Sequence, residues 1–232
     1  PKEKANQFAF NDIFFRKNDN LLHFVKPVFD RRVFLKTCTN GSSELMTNLS
    51  MSLVNALYNL QLMKIAGENG VAAYGAVMYV NFIFVATFLG YAIGCAPVIS
   101  YHYGAGNHAE LKNLYKKSMS IILVWGVILF GAAQLLAPVL SKIFVGYNTG
   151  LYAMTLHGFR VYAIAFLIIG INIFGSSFFT ALNNGLISAV ISFLRTLVFQ
   201  VIMVLTLPLW FGINGIWSAI SIAEALTLIM TT

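Results

Sequence analysis

Glu44, Asn48, Ser52, Asn55 and Asn59 recur at i, i+4, i+8, i+11 and i+15. On a helix turning 100° per residue they share an arc of about 80°. Leu45, Leu49, Leu53 and Leu60 fall roughly opposite. Hydrogen bonding between helices needs only one or two polar residues, whereas five in a line favour an aqueous cavity. The pattern returns twice, as Asn172, Ser176, Thr180 and Asn183, and as Ser188, Ser192, Arg195 and Thr196. Arg195 lies about ten residues into its apolar segment, and Glu224 is the other deep charge. A central charge costs several kcal/mol unless it is paired or hydrated. Each is therefore a candidate for a substrate or ion pathway, with a structural ion pair or carbonyl contact as the competing role for Arg195. Glu44 sits near a helix start, where the dipole favours a carboxylate, so capping competes with function there. His157 and Arg160 lie early in their segment and read as interfacial.

No catalytic constellation accompanies these residues. The chain has no Ser-His-Asp spacing at an elbow, no P-loop, no Cys or His ligand pairs, and few carboxylates. GYAIG and YHYGAGN carry glycines but follow no strand, and His102 and His108 flank a loop without a partner in view. Cys38 and Cys95 give neither a disulfide framework nor metal spacing. The expectation is a non-enzyme with no metal site and no cofactor.

The elements that must position the polar stripes are membrane helices. Between Glu68 and Glu110 there is no Asp, Glu, Lys or Arg. Roughly 30 helical residues span about 45 Å, more than the hydrocarbon core of a bilayer. The stretch reads as a transmembrane helix bent near Gly94 and Pro97, with Gly90 and Gly94 opening one face to a neighbour. Overall the 232 residues are 58% hydrophobic and only 10% charged, against about 25% charged in soluble domains. The fold class is all-α and polytopic. Six apolar segments are expected at 43–64, 71–101, 118–145, 155–182, 186–211 and 216–232, joined by short connections bearing Gly, Asn or Pro.

Residues 1–40 differ, holding eight of the 15 Lys and Arg. They read as a cytoplasmic linker, with a short interfacial helix expected over Val28–Cys38, feeding a lobe at 41–232. A net charge of +7 would suggest nucleic acid in a soluble protein; here basic loops account for it, and no nucleic-acid partner is expected. The linker and the 102–117 loop carry eleven Lys and Arg, against Lys64 and Lys142 on the other side. That asymmetry puts the linker and the C-terminus inside, in a cell (inner or plasma) membrane. No h-region of a signal peptide is present in the first residues, and both ends read as cuts in a longer chain.

The run GSSELMTNLSMSLVNALYNLQLMKIAGENGVAAYGAVMYVNFIFVATFLGYAIGCAPVISYHYGAGN resembles the seventh and eighth helices of the multidrug and toxic compound extrusion (MATE) transporters. FGSSFFTALNNGLISAVISFLRTLVFQ is similar to their tenth and eleventh. The likeness runs over 41–232, with 1–40 resembling the loop between the family's two lobes. It implies one six-helix lobe of a twelve-helix, two-lobe fold whose parallel repeats surround a central cleft, with the N-terminal six-helix lobe as a partner outside this chain. It also implies export of cationic and amphipathic drugs in exchange for protons or sodium. Family members with a cation site in this lobe use a seventh-helix glutamate and a tenth-helix aspartate. Glu44 is acidic on the matching helix but a turn or more early. The aspartate position pairs with Ile169, which cannot ligate a cation, so a sodium site of that type is not carried over.

Three functions follow as expectations. The first is half of a cation-coupled drug antiporter working by alternating access, with pathway candidates Glu44, Asn48, Ser52, Asn55, Asn59, Asn172, Ser176, Arg195 and Glu224. In it Tyr58 and Asn55 suit flat cations through ring faces and amides. The second is a flippase for lipid-linked precursors, which should carry several buried arginines for pyrophosphate; only Arg195 offers itself. The third is a membrane subunit without transport of its own.

Overall fold

Five helical elements are seen in a computed structural model that describes residues 29–231, with only the backbone of Asn40, Ser43, Glu44 and Thr231. They are α1 (Arg31–Gly104), α2 (His108–Val145), α3 (Thr149–Ala181), α4 (Gly185–Phe211) and α5 (Ile213–Thr231). No strand occurs among the described residues. The body of the structure is the unit Lys36–Thr232, and most of the expected linker lies outside the described residues.

α1 is two helices in one. At Gly67 the backbone leaves helical geometry, with φ 63° and ψ −153°. Tyr74 Oη donates to Asn55 Oδ1 at 2.8 Å although 19 residues separate them. On a straight helix those residues would stand about 28 Å apart. The chain therefore doubles back at Gly67, and Tyr58 stacks on Tyr74 with ring centroids 4.9 Å apart. Counting the two limbs of α1 separately gives six apolar rods, as the sequence leads one to expect. The conformation at Gly67 is open essentially to glycine alone, and a side chain there costs about 1–3 kcal/mol. Gly67→Ala should lower the thermal midpoint of the purified protein by several degrees; an unchanged midpoint would contradict a reversal at this residue.

The helix starts are set by short polar side chains. Asp30 Oδ1 accepts from the Arg32 amide at 2.7 Å, and no proline follows before Pro97, so α1 begins well before the expected apolar start near residue 43. Asn107 Oδ1 accepts from the Glu110 amide and Asn148 Oδ1 from the Gly150 and Leu151 amides. These caps satisfy orphan donors and extend α2 and α3 beyond the apolar segments. The second limb of α1 stays helical through Gly94 and Pro97, and one expectation for it is corrected. Gly90 and Gly94 are exposed and have open space over them rather than an approaching helix.

The second limb docks on α2 and α3. Tyr91 Oη donates to Ser118 Oγ at 3.1 Å, and Trp125 Nε1 to Thr87 Oγ1 at 3.0 Å. Phe84 meets the Phe166 ring at 5.1 Å. α5 packs along α4 and against α3, and Trp217, Phe166, Phe174 and, from the first limb of α1, Leu62 are fully buried in the core. The outer faces are apolar as well, with Ile93, Leu135, Ile143 and Leu186 exposed. A soluble domain does not leave such faces bare, but a bilayer solvates them, and these helices are long and apolar enough to cross one. The chain is a multi-pass membrane protein.

Two irregular turns interrupt the helices. α3 tightens to a 3₁₀ turn over Ala163–Ala165, and α4 widens to a π-helical turn over Phe193–Phe199. α5 packs against both.

Candidate functional site

Glu224 is the node of the lobe. It stands on α5, 1% exposed, and Arg195 from the π-helical turn of α4 reaches it. Arg195 Nε donates to Glu224 Oε1 at 2.9 Å and to Oε2 at 3.0 Å. Asn172 on α3, fully buried, donates through Nδ2 to Glu224 Oε2 at 2.7 Å and to its backbone carbonyl at 2.9 Å. One carboxylate therefore ties three helices together. Moving an ion into low dielectric is costly, and only a close partner with good hydrogen bonds offsets it. The π-helical turn shifts the register of α4 by a residue, which re-aims the side chains that follow; such turns are frequent at functional sites.

Beside this node a chain of hydroxyls joins α3 to α4. Ser176 Oγ lies 2.9 Å from Ser188 Oγ and 3.0 Å from Ser192 Oγ, and Thr180 Oγ1 donates to Ser188 Oγ at 2.7 Å. The two polar stripes of the sequence thus meet each other. Interhelical bonds of this kind average only about 0.6 kcal/mol in membranes, so their service is alignment more than affinity.

The node borders a cavity of about 390 Å³ reached by side chains of all helices except α2. Its polar wall includes Asn48, Asn55, Ser176, Arg195 and Glu224, and its aromatic wall the stacked Tyr58 and Tyr74. Two buried polar atoms on the lining, Tyr58 Oη and Asn81 Oδ1, have no hydrogen-bond partner among the described residues. A buried acceptor or hydroxyl left bare costs about 1–3 kcal/mol, so a ligand or water that meets it is favoured.

The candidates from the sequence divide. Asn48, Asn55, Asn172, Ser176, Arg195 and Glu224 lie at the node or the cavity. Ser52 and Asn59 are exposed and bond back to their own helix, at the carbonyls of Asn48 and Asn55. The side chain of Glu44 is outside the described residues, although its backbone is in α1. Ile169 is buried and lines the cavity, so a hydrocarbon occupies the place that the resemblance pairs with an aspartate. His157 is exposed and hydrogen-bonded to Asn214 Oδ1 at 2.7 Å, and Arg160 is exposed.

The sequence reading missed Tyr74, Asn81, Tyr162 and Gln200 on the cavity lining. Asn81 had a signal, as the amide in the middle of the charge-free run, far from Asn69 and Asn107 at its ends. The two tyrosines had none, because Tyr74 reaches the wall only through the reversal at Gly67.

Known proteins fit this geometry. The profile of the MatE family matches residues 45–206. Among solved structures, a MATE in complex with MaL6 superposes with a TM-score of 0.85 at 20% identity, covering 98% of this chain and 52% of that one. The outward-facing conformation of a multidrug resistance MATE family transporter of the MOP superfamily gives 0.84 at 21% identity, covering 99% and 52%. A MOP superfamily transporter from Pyrococcus furiosus, described as having a binding pocket of reverse polarity, gives 0.83 at 21%, covering 99% and 52%. No curated protein matches at a significant level. The chain spans about half the length of these solved chains. A profile match over most of the chain, on the fold of one MATE lobe, places it in a family: the chain belongs to the MatE family.

Proposed function

We propose that this lobe is half of a secondary antiporter that exports cationic or amphipathic drugs in exchange for a cation. The observation that carries the reading is Glu224, buried in a membrane lobe, held by Arg195 and Asn172, and open to a cavity of drug-like size. A buried carboxylate on three helices is a lever. A cation arriving at Glu224 competes with the Arg195 guanidinium, and loss of that attraction alters how α4 and α5 are held to α3. A ligand shifts a conformational equilibrium by its differential affinity for the two states, and here the differential lies in the broken ion pair.

Of the two coupling ions, the node suits the proton. Hard metal cations take several oxygen ligands in a shell. Both Glu224 oxygens already accept from Arg195, and Ile169 supplies no further oxygen. The Tyr58 and Tyr74 faces, with Met51 and Met78 on the same lining, suit a flat cationic ring system. Arg195 is the one cationic side chain among the described cavity-lining residues, which is sparse for a pyrophosphate and favours a drug over a lipid-linked precursor. The charge asymmetry of the loops sets the linker and the C-terminus on the cytoplasmic side, and the second six-helix lobe completes the central cleft.

The test is drug accumulation in cells expressing the whole transporter that contains this lobe, with the proton and sodium gradients collapsed separately. Accumulation should rise when the proton gradient is removed and stay low when only sodium is removed. No export under either gradient, from well-expressed protein, would overturn the reading.

A further inference from the structure

A second cavity, of about 420 Å³, opens at the other end of the chemistry scale. It lies between the first turns of α2 and the last turns of α3 and shares no lining residue with the Glu224 cavity. Its depth is apolar, with Met119, Gly175 and Phe178, and Tyr115 stands over the Phe178 ring at 5.2 Å. Its mouth carries Lys112 and His108. Lys112 is exposed and has no carboxylate partner among the described residues; the nearby Glu110 is turned to Asn113 Nδ2, at 3.1 Å and 3.3 Å. Lys116 and Lys117 are exposed nearby but do not line it.

We infer that this cavity is a site for an anionic glycerophospholipid, with its phosphate on Lys112 and one acyl chain laid over Gly175 against Phe178. Depth supports the assignment. The apolar part of α2 begins at residue 118, so Lys112 lies six residues, about 9 Å, further out, at the headgroup level. Tyr103 and Tyr115 are placed where amphipathic rings favour the membrane surface. Charge selects the occupant: an unpaired ammonium at the mouth of an apolar slot between two membrane helices complements a phosphate with a tail. Basic pockets between transmembrane helices recognise anionic headgroups by this arrangement. A zwitterionic lipid fills the slot but brings its own cation to Lys112, and gains less. The site needs only a membrane surface at this end of α2 and does not depend on what the transporter carries.

Two substitutions attack the two halves of the site separately. Lys112→Gln removes the cation. Gly175→Leu fills the slot, because a Cβ at Gly175 meets nothing within 4 Å, and it leaves every polar group in place. The measurement is native mass spectrometry of the whole purified transporter titrated with dioleoyl phosphatidylglycerol and, separately, dioleoyl phosphatidylcholine. The parent protein should retain the anionic lipid about fivefold better, the advantage one basic group gives at an anionic surface. Lys112→Gln should erase that preference, and Gly175→Leu should lower retention of both lipids. The double variant Lys116→Gln/Lys117→Gln should keep the preference. Parent-like retention in Gly175→Leu, or an equal loss in the Lys116/Lys117 variant, would overturn the site and leave only general surface attraction.

Discussion

Arg195→Met should destabilise the lobe by about 3–5 kcal/mol, the loss typical when one partner of a buried ion pair is removed. The physical reason is the carboxylate left behind. Glu224 is 1% exposed, and after the substitution only Asn172 contacts its oxygens among the described partners. Methionine fills the volume of the arginine stem, so the loss reports charge and not a hole. The second arm makes the interpretation sharp. Arg195→Met/Glu224→Gln removes both charges and keeps an amide for Asn172 to meet. Replacing a buried pair with neutral groups is often neutral in stability, so the double variant should recover most of the lost thermal midpoint in detergent. Equal instability of the single and double variants would show that Arg195 acts through packing alone.

The second large effect is expected at Gly158. This glycine on α3 lies under the face of the buried Trp217 indole, so that an added Cβ would run into the ring atoms Cε2, Cδ2 and Cζ2. Overpacking a tight core costs typically 1–3 kcal/mol. A rigid, fully buried indole cannot step aside, so Gly158→Val should fall at the upper end of that range. Trp217→Leu makes room on the opposite side. Combined with Gly158→Val it should restore part of the midpoint that each single variant loses. Strict additivity of the two losses would contradict direct contact between α3 and α5 here.

The reversal at Gly67 and the capping residues Asn107, Asn148 and Asn184 show how much of the fold was legible. Each is a short polar or glycine signal between apolar runs, and the six rods follow from them. Hydropathy marks where the bilayer begins, and the apolar start expected near 43 lies beside the span that opens at Leu45, whereas Asp30 marks where the helix begins, so the helix expected over Val28–Cys38 runs on into the first span without a break. The glycines at 90 and 94 were expected to receive a helix because spacing alone does not say which face of a helix has a neighbour.

At the site, one stripe split in two. Glu44 to Asn59 share one arc, but only Asn48 and Asn55 from it line the cavity among the described side chains, where Tyr74 of the return limb meets Asn55; Ser52 and Asn59 are exposed and bond to carbonyls of their own helix. Arg195 and Glu224 were both visible as deep charges. Their pairing was not, since 29 residues separate them and a π-helical turn sets the direction of Arg195. No composition or period announces such a turn.

The most direct test returns to Glu224. Drug export should be measured in proteoliposomes containing the whole transporter, with an imposed proton gradient, for the parent protein and for Arg195→Met/Glu224→Gln. Thermal unfolding of the same samples reports whether the variant is folded. The expected result is a parent-like midpoint with export reduced to the level of empty liposomes. Parent-like export from the folded double variant would contradict a working role for the Arg195–Glu224 pair and leave it as a structural tie.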